Sequence, residues 1–203
     1  MPAMNLSKGE QTRKLILDRA LAMAGEIGLE GVSIGALADE TGLSKSGLFA
    51  HFKSKEALQL DVLQEAITRF TVQVLQPALT TPRGEPRVRL LFDKYLEWIR
   101  GDDARRGCIF QKLTSEYAGR DGAVRDRLVQ SQKDWRDAIM RAVQGAIDEG
   151  HFRRDLDPAV FAHEMLGIAM VFQSSWRLMR EAGALPRAQA IFDALLTRSR
   201  SVP

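Results

Sequence analysis

The segment from Ser33 to Lys55, SIGALADETGLSKSGLFAHFKSK, constrains the fold of this chain most. It predicts two short helices separated by a glycine turn. Ala38 is small enough for two helices to cross closely, and Gly42 follows the first helix where the backbone needs a positive φ, which glycine adopts without strain. Ser44 has the residue type of an N-cap, so the second helix is expected to begin directly after it. The pattern is typical of a helix-turn-helix that reads DNA.

The second helix is expected to present its N-terminal groups to DNA. Lys45, Ser46 and the bare backbone of Gly47 lie in its first turn, where they can reach base edges and phosphates. Ser54 is a further N-cap, so Lys55 falls in the first turn of the next helix, where a cation opposes the helix dipole and suggests an external anion. Residues 1–60 hold seven Lys or Arg and seven Asp or Glu, so the local placement of cations supports DNA binding better than the net charge of +3 does.

These residues resemble the TetR family of one-component transcriptional regulators. The resemblance covers about residues 11–60 closely and is carried by Ala38, Gly42, the run LFAHF that ends at Phe52, and the run KEAL that begins at Lys55. The family usually has a tyrosine at the position of Phe49, and phenylalanine lacks the hydroxyl that could donate a hydrogen bond to a phosphate. The resemblance implies DNA contacts by Ser33, Lys45, Ser46, Gly47, His51 and Lys55, and it leaves Phe49 as a packing residue or an apolar contact to a thymine methyl.

The remainder of the chain predicts helices, because no stretch alternates apolar and polar residues for long enough to indicate a strand. We expect an all-α protein of about nine helices. A three-helix DNA-binding domain is expected at 1–56, with its helix-turn-helix at about 33–52, and a six-helix effector-binding and dimerisation domain at 57–203. Ser7 and Glu10 predict a capping box for the first helix. The fourth helix is expected to run toward Leu75 and to end before Pro77.

Two apolar stripes give further expectations. In the first helix, Ile16, Ala20, Ala24 and Ile27 recur at helical spacing. In the seventh helix, at about 123–149, a stripe of large apolar residues has a polar gap at Ser131 and Gln132. We expect the second stripe to be interrupted at this gap.

The last two helices predict a homodimer. They carry apolar residues on more than one face, namely Leu166, Met170, Phe172, Trp176, Leu178 and Met179. One face can pack in the core of its own chain, and the other requires a second subunit. The resemblance implies that these helices pair as a four-helix interface, and a twofold dimer suits a near-palindromic operator with half-sites about 34–36 Å apart.

The resemblance also implies a small-molecule effector site within helices four to eight. The candidates combine apolar bulk with a polar tip and are Tyr95, Cys108, Gln111, Trp135, His163, Gln173 and Trp176. Repression relieved by the effector is the usual response in the family. Activation by the ligand and a corepressor remain alternatives, because no residue pattern shows whether the effector weakens or strengthens DNA binding.

The amino-acid composition limits the classes of protein to which this chain can belong. Hydrophobic residues make up 45% of the chain, yet no apolar run approaches a membrane span or the core of a signal peptide, so a cytoplasmic protein without membrane partners is expected. Cys108 is the single cysteine and the three histidines are scattered, so we expect no disulfide, no metal site and no cofactor.

Two alternative functions follow from the sequence. GVSIG, from Gly31 to Gly35, matches the G-x-S-x-G elbow of serine hydrolases, but that elbow follows a buried strand, and here a helical pattern precedes it. Ser33 is therefore better interpreted as an N-cap, and we do not expect an enzyme. The other alternative is an all-helical dimeric adaptor that binds no DNA, which the salt dependence of duplex binding would distinguish.

Overall fold

A computed structural model describes residues 7–101 and 108–201 of the chain. Over these residues it contains nine helices: α1 Lys8–Ile27, α2 Ile34–Thr41, α3 Lys45–His51, α4 Lys55–Phe70, α5 Glu85–Arg100, α6 Ile109–Tyr117, α7 Ala123–Asp148, α8 Pro158–Gln173 and α9 Ala184–Ser199. A π-helical segment, Thr71–Leu75, and a short α-helical segment, Gln76–Leu79, continue α4, and a second π-helical segment, Ser174–Leu178, continues α8. The prediction of an all-α fold is confirmed.

The described ranges contain almost no β structure and no candidate membrane helix. One isolated antiparallel bridge joins Phe152 to Arg200. None of the described helices combines the length and the apolar character that crossing a bilayer requires.

Local capping residues set the helix boundaries. The Ser7 hydroxyl accepts a hydrogen bond from the N–H of Glu10 at 3.3 Å, and the Glu10 carboxylate accepts one from the N–H of Ser7 at 2.8 Å, which is the predicted capping box of α1. At α8, Oδ1 of Asp157 accepts from the N–H of Ala159 at 2.7 Å, and Pro158 occupies the first helical position. Both helices therefore begin where their sequences predict.

The chain folds as two compact units. The described part of the first unit comprises residues 7–68 and Ile109–Leu128, and that of the second comprises residues 69–101, Cys108 and residues 129–201. Helix α6 therefore belongs to the same unit as α1, α2 and α3, although it lies in the middle of the sequence. The division of the chain at residues 56 and 57 stays a prediction.

The predicted stripe of α1 is buried except at its end. Ile16, Ala20 and Ala24 are fully buried in the core of the first unit, whereas Ile27 is 57% exposed. Ile27 is the last residue of α1, and its side chain covers the turn beside Gly31, where an added Cβ would lie 2.8 Å from the Ile27 Cδ1 atom. Ile27 therefore lies at the surface, at the point where α1 ends.

The buried stripe of α7 continues through Ser131. Ser131 is buried, one helical turn from Leu128 and one from Trp135, which are buried as well. The expected polar gap is therefore absent at this position, since a small side chain fills it and keeps the same face of α7 toward the core.

The helical run that begins with α4 continues past Pro77, so the prediction that it ends before this residue is wrong. The N–H of Gln76 donates to the carbonyl of Thr71, which is the i to i−5 bond of a π-helix. Pro77 then lies in the first turn of the segment that follows, where its missing N–H is tolerated. The helix continues to Leu79 as a result.

Candidate nucleic-acid interface

The helix-turn-helix of the first unit consists of α2, a glycine turn and α3. Gly42 has a φ of 68°, in the left-handed region, and its N–H donates to the carbonyl of Ala38 at 2.9 Å. Ala38 is buried, and α2 packs against α3. Leu48 and Phe52 are buried and attach α3 to the unit, whereas Leu43, directly after the turn, is half-buried. The turn ends α2 sharply, as its sequence predicts.

The N-terminal turn of α3 is exposed. Ser44 caps the helix by accepting a hydrogen bond from the N–H of Gly47 at 3.1 Å, and its hydroxyl lies 3.2 Å from that of Ser46. Lys45, Ser46 and Gly47 are exposed, as is Phe49, of which 52% is accessible. Phe49 therefore lies on the surface of the unit, where an apolar contact to DNA is possible.

Ser33 caps α2 in the way the sequence predicts. Its hydroxyl oxygen accepts a hydrogen bond from the N–H of Ala36 at 3.1 Å. The residues that precede it form the turn after α1, and no strand leads into it among the described residues. This geometry is that of an N-cap and differs from a nucleophile elbow.

Lys55 begins α4 and is paired with a carboxylate of its own unit. Ser54 caps α4 through a hydrogen bond from the N–H of Ala57 at 3.0 Å. The Lys55 ammonium then lies 3.0 Å from Oε2 of Glu30, in the turn that follows α1. Lys55 is exposed at the helix N-terminus and is paired with Glu30, so a phosphate would share this ammonium with a carboxylate.

Glu30 is the centre of a polar cluster that we name the Glu30 cluster. Its carboxylate accepts hydrogen bonds from Lys55, from the Tyr117 hydroxyl at 3.0 Å and from Gln59 Nε2 at 3.3 Å, and it lies 3.4 Å from the Arg120 guanidinium. Burial by itself raises the pKa of Glu30, but the hydrogen bonds from Lys55 and Tyr117 and the charges of Lys55 and Arg120 together lower it. Burial and the bond to Glu30 raise the pKa of Tyr117, which keeps its hydroxyl protonated as the donor.

Helix α6 holds the end of α1 and the turn after it. The Glu116 carboxylate accepts hydrogen bonds from the N–H groups of Leu29 and Glu30 at 3.0 and 2.5 Å. The Lys112 ammonium donates to the carbonyls of Gly25 and Glu26 at 3.1 and 2.6 Å, in the last turn of α1. We name Lys112, Glu116 and Tyr117 the α6 clamp. The sequence does not predict this clamp, because Lys112 and Glu116 have the pattern of an ordinary solvated pair one turn apart.

Gly28 makes the α6 clamp possible. Its φ is 83°, and a Cβ at this position would lie 2.8 Å from Oε2 of Glu116. A side chain here would therefore be strained by the backbone and would also displace the carboxylate.

The effector candidates are divided between the two units. In the second unit, Tyr95 and Trp135 are buried together with ring centroids 5.3 Å apart. The buried Cys108 donates its N–H to Oε1 of Gln173 at 3.3 Å. Trp176 is half-buried and stacks on Phe172 with a centroid distance of 6.0 Å.

The other two candidates lie elsewhere. His163 is exposed on α8, and Gln111 belongs to the first unit. The second unit thus brings together Tyr95 with Trp135 and Cys108 with Gln173. In the described ranges, no group of three or more His, Cys, Asp or Glu side chains is arranged to hold a metal ion.

An apolar surface is exposed on the last two helices and on the π-helical segment after α8. We name it the α8–α9 apolar face. Its side chains are between 48% and 81% exposed and belong to Val160, Met170, Val171, Leu178, Met179 and Ile191. Apolar residues this numerous at one end of a chain indicate a surface that another molecule covers.

Comparisons with known proteins give a consistent result. The sequence model of the bacterial regulatory proteins of the tetR family matches residues 16–62, and that of the tetracyclin repressor-like C-terminal domain matches residues 84–192. The HTH-type transcriptional repressor KstR2 of Mycobacterium tuberculosis (strain ATCC 25618 / H37Rv) is 29% identical over 156 residues, which are 76% of this chain and 73% of KstR2.

Solved structures share the fold. A TetR transcriptional regulator from Chloroflexus aurantiacus J-10-FL has a TM-score of 0.85 at 22% identity, over 98% of this chain and 100% of that one. AibR, solved in complex with isovaleryl coenzyme A and operator DNA, has a TM-score of 0.73 at 22% identity, over 92% of this chain and 98% of AibR. At this level of identity the likeness concerns the arrangement of helices.

Proposed function

The chain belongs to the TetR family of transcriptional regulators, and from this premise we propose that it is a ligand-responsive repressor that binds a near-palindromic operator as a homodimer. The observation that carries the proposal is the exposed N-terminal turn of α3, held by a helix-turn-helix that matches the family in sequence. We expect it to act in the cytoplasm, and the proposed activity is binding, with no catalytic step.

The proposed DNA contacts divide between bases and phosphates. Lys45, Ser46 and Gly47 lie at the start of α3, which is the part of a recognition helix that reaches base edges in the major groove. Phe49 is exposed one turn further along and is suited to the methyl group of a thymine. Lys55 carries its charge at the N-terminus of α4, where it can contact a phosphate.

Two further residues complete the proposed set. Ser33 is half-buried at the N-cap of α2, and His51 is half-buried at the last position of α3. Both sit at helix ends within the first unit, where contacts to the sugar-phosphate backbone are common. Such contacts would orient the helix-turn-helix on the DNA. They would distinguish one base sequence from another less than the contacts made by the first turn of α3.

The homodimer is proposed to form through the α8–α9 apolar face. Leu178 is 81% exposed and Met170 is 61% exposed, and a second copy of the face would remove both from water. Dimerisation also explains how one short α3 helix can give useful affinity, because two linked contacts on one operator act together.

The proposed response to a small molecule follows the pattern of the relatives. KstR2 is described as a repressor, and AibR is described with both a coenzyme A thioester and operator DNA. In this chain, α4 begins at Lys55 and ends at Phe70, which packs among the effector candidates of the second unit. An effector acts through the difference in its affinity for the DNA-binding and the non-binding conformations, so its effect on DNA affinity is no larger than that difference.

Duplex binding at two salt concentrations tests the proposal. An operator is first selected from genomic fragments by the purified protein, and binding is then followed by fluorescence anisotropy at about 50 and 200 mM salt. A protein that makes six to ten phosphate contacts is expected to lose about 10³- to 10⁵-fold in affinity over this range. If no fragment is selected with or without candidate effectors, the adaptor alternative replaces the repressor.

A further inference from the structure

Four aromatic side chains pack together in the second unit, and we name Phe70, Tyr95, Trp98 and Trp135 the aromatic cluster. The Phe70 ring meets the other three edge-on, with centroid distances of 5.9 Å to Tyr95, 5.4 Å to Trp98 and 5.0 Å to Trp135 and interplanar angles of 84°, 89° and 80°. Edge-to-face packing of this kind is the geometry in which aromatic rings attract one another and attract further rings.

The cluster contains a buried hydrogen-bond donor that lacks an acceptor. Trp135 is 6% exposed, and its indole Nε1 has no hydrogen-bond partner among the residues that the structure describes. Buried indole N–H groups ordinarily have a partner, because leaving one unsatisfied is unfavourable. The Trp135 N–H is therefore suited to an acceptor that comes from outside the chain.

The surroundings of the cluster favour an uncharged partner. The buried polar residues of the described chain are Gln59, Ser131, Ser175 and Ser199, so no buried charge is available to neutralise an ion. Asp93, on the same helix as Tyr95, is half-buried, and its electrostatic neighbours are charged groups such as Arg89 and Asp193. An anionic ligand would lose its hydration here without gaining a counter-charge. A quaternary ammonium ion is attracted by aromatic faces but has no acceptor for the Trp135 N–H, which it would leave unsatisfied.

A π-helical segment begins directly after Phe70. This segment, Thr71–Leu75, packs against α5, which carries two of the four rings. π-helical turns inside α-helices are rare and occur often at functional sites. The cluster therefore adjoins a helical irregularity of the kind that accompanies functional sites.

We propose that the aromatic cluster binds an uncharged, ring-bearing effector whose acceptor atom takes the hydrogen bond of Trp135 Nε1. The inference rests on the proposed function in one respect, namely that the second unit receives an effector. It names the chemical class of that effector: a neutral aromatic molecule with a carbonyl, ether or comparable oxygen, distinct from a carboxylate and from a quaternary ammonium ion.

Four probes of one ring size test the class. The full-length protein, labelled with ¹⁵N, is titrated with acetophenone, ethylbenzene, benzoate or phenyltrimethylammonium, and the indole N–H signals are followed by NMR. Variants Trp98→Phe and Trp176→Phe assign the Trp135 signal by elimination. We expect acetophenone to bind most tightly and to move the Trp135 signal downfield. Ethylbenzene is expected to cause a smaller change in chemical shift that is not downfield. The two ions are expected to leave the signal in place.

The Trp135→Phe variant provides a second measurement. It keeps an aromatic ring, although a smaller one, and removes the donor, so the affinity for acetophenone is expected to fall about fivefold more than that for ethylbenzene. The inference is overturned if no probe moves the Trp135 signal, if ethylbenzene moves it as acetophenone does, or if either ion binds more tightly than acetophenone.

Duplex binding in the same samples separates this inference from the proposed function. If the protein binds its operator and the Trp135 signal stays fixed with every probe, the effector class is wrong and the repressor stands. If the signal responds as expected and no duplex is bound, the effector class stands and the repressor is wrong.

Discussion

The ammonium of Lys55 lies 3.0 Å from a carboxylate oxygen of Glu30, so a cation proposed to meet DNA is held by an anion of its own unit. The same carboxylate also accepts the hydroxyl of Tyr117, from α6. Any change at Tyr117 or Glu30 therefore alters the charge that Lys55 offers to a phosphate.

Replacing Glu30 by glutamine is expected to strengthen binding to every duplex by about two- to fivefold at low salt. The substitution removes a negative charge near the DNA and leaves Lys55 without its competing partner. Fluorescence anisotropy with a specific and an unrelated duplex measures the gain. In a Lys55→Ala background the gain should be smaller, and an equal gain in both backgrounds would show that Glu30 does not act through Lys55.

Lys45 and Lys55 are expected to differ in what they contribute. Lys55→Ala should weaken binding to all duplexes and lower the slope of log affinity against log salt by about one, which is the effect of one phosphate contact. Lys45→Ala should also reduce the preference for the operator over unrelated DNA, because Lys45 lies where α3 reaches the bases. Unaltered affinity in both variants would remove the DNA contact from this segment.

Gly28→Ala is expected to destabilise the first unit by about 1–3 kcal/mol. The φ of 83° disfavours a side chain, and the new Cβ would collide with the Glu116 carboxylate of the α6 clamp. Gly9→Ala is the matched control, because Gly9 lies in α1 with nothing near its added Cβ and should be neutral or stabilising. Thermal unfolding of both variants measures the difference, and equal midpoints would contradict the role of the clamp.

If the proposed homodimer forms through the α8–α9 apolar face, Leu178→Arg is expected to yield monomers, because a guanidinium cannot be buried against a second apolar face without a counter-charge. Light scattering measures the mass. Leu178 is a sharper test than Trp176, since Trp176 also stacks within its own chain. Leu79→Arg is the control, as Leu79 is 66% exposed and lies off the α8–α9 apolar face. A dimeric Leu178→Arg protein would assign the interface to another surface.

The ion pair of Glu85 and Arg200 is expected to make stability depend on pH. Two hydrogen bonds of 2.6 and 2.9 Å join the groups, and the bond from Arg200 lowers the pKa of Glu85 despite its partial burial. Because this pKa is lower in the folded chain, the carboxylate stabilises the fold above about pH 4.3, its usual value, and this contribution is lost as the pH falls through the folded-state pKa.

Urea unfolding at pH 7 and pH 3.5 measures this contribution. Glu85→Gln should have a lower midpoint than the unmodified protein at pH 7, and the two midpoints should converge at the acidic pH. Asp155→Asn provides the comparison: the bond from Arg153 lowers the pKa of Asp155 as well, but this pair is exposed and its residues are two positions apart, so the substitution should change the midpoint less. A constant difference at both pH values would mean that the substitution acts through packing.

The helix-turn-helix could be predicted closely because the interactions that shape it are local. Ser33, Gly42 and Ser44 each act on a neighbour within four residues, and such constraints are visible in the order of residues. The α6 clamp could not be predicted, because Glu116 reaches Leu29 across 87 positions. A lysine and a glutamate one turn apart have the same pattern whether they face water or another helix.

The effector candidates show a second limit of sequence reasoning. Gln111 and Trp135 share the same combination of apolar bulk and polar tip, yet they belong to different units. Burial and ring geometry separate them, and both depend on distant contacts. Phe70 completes the aromatic cluster but has no polar atom in its side chain. The combination of apolar bulk and a polar tip therefore could not identify it.

The assignment of α6 to the first unit bears on the engineering of hybrid regulators. Exchanging only the leading segment of the chain with that of another family member would leave Lys112, Glu116 and Tyr117 facing a foreign turn, with their hydrogen-bonding partners replaced. A transplant that includes Ile109–Leu128 keeps both halves of this contact together. A hybrid regulator should therefore receive two separate segments from the donor, the N-terminal segment and the one that corresponds to Ile109–Leu128.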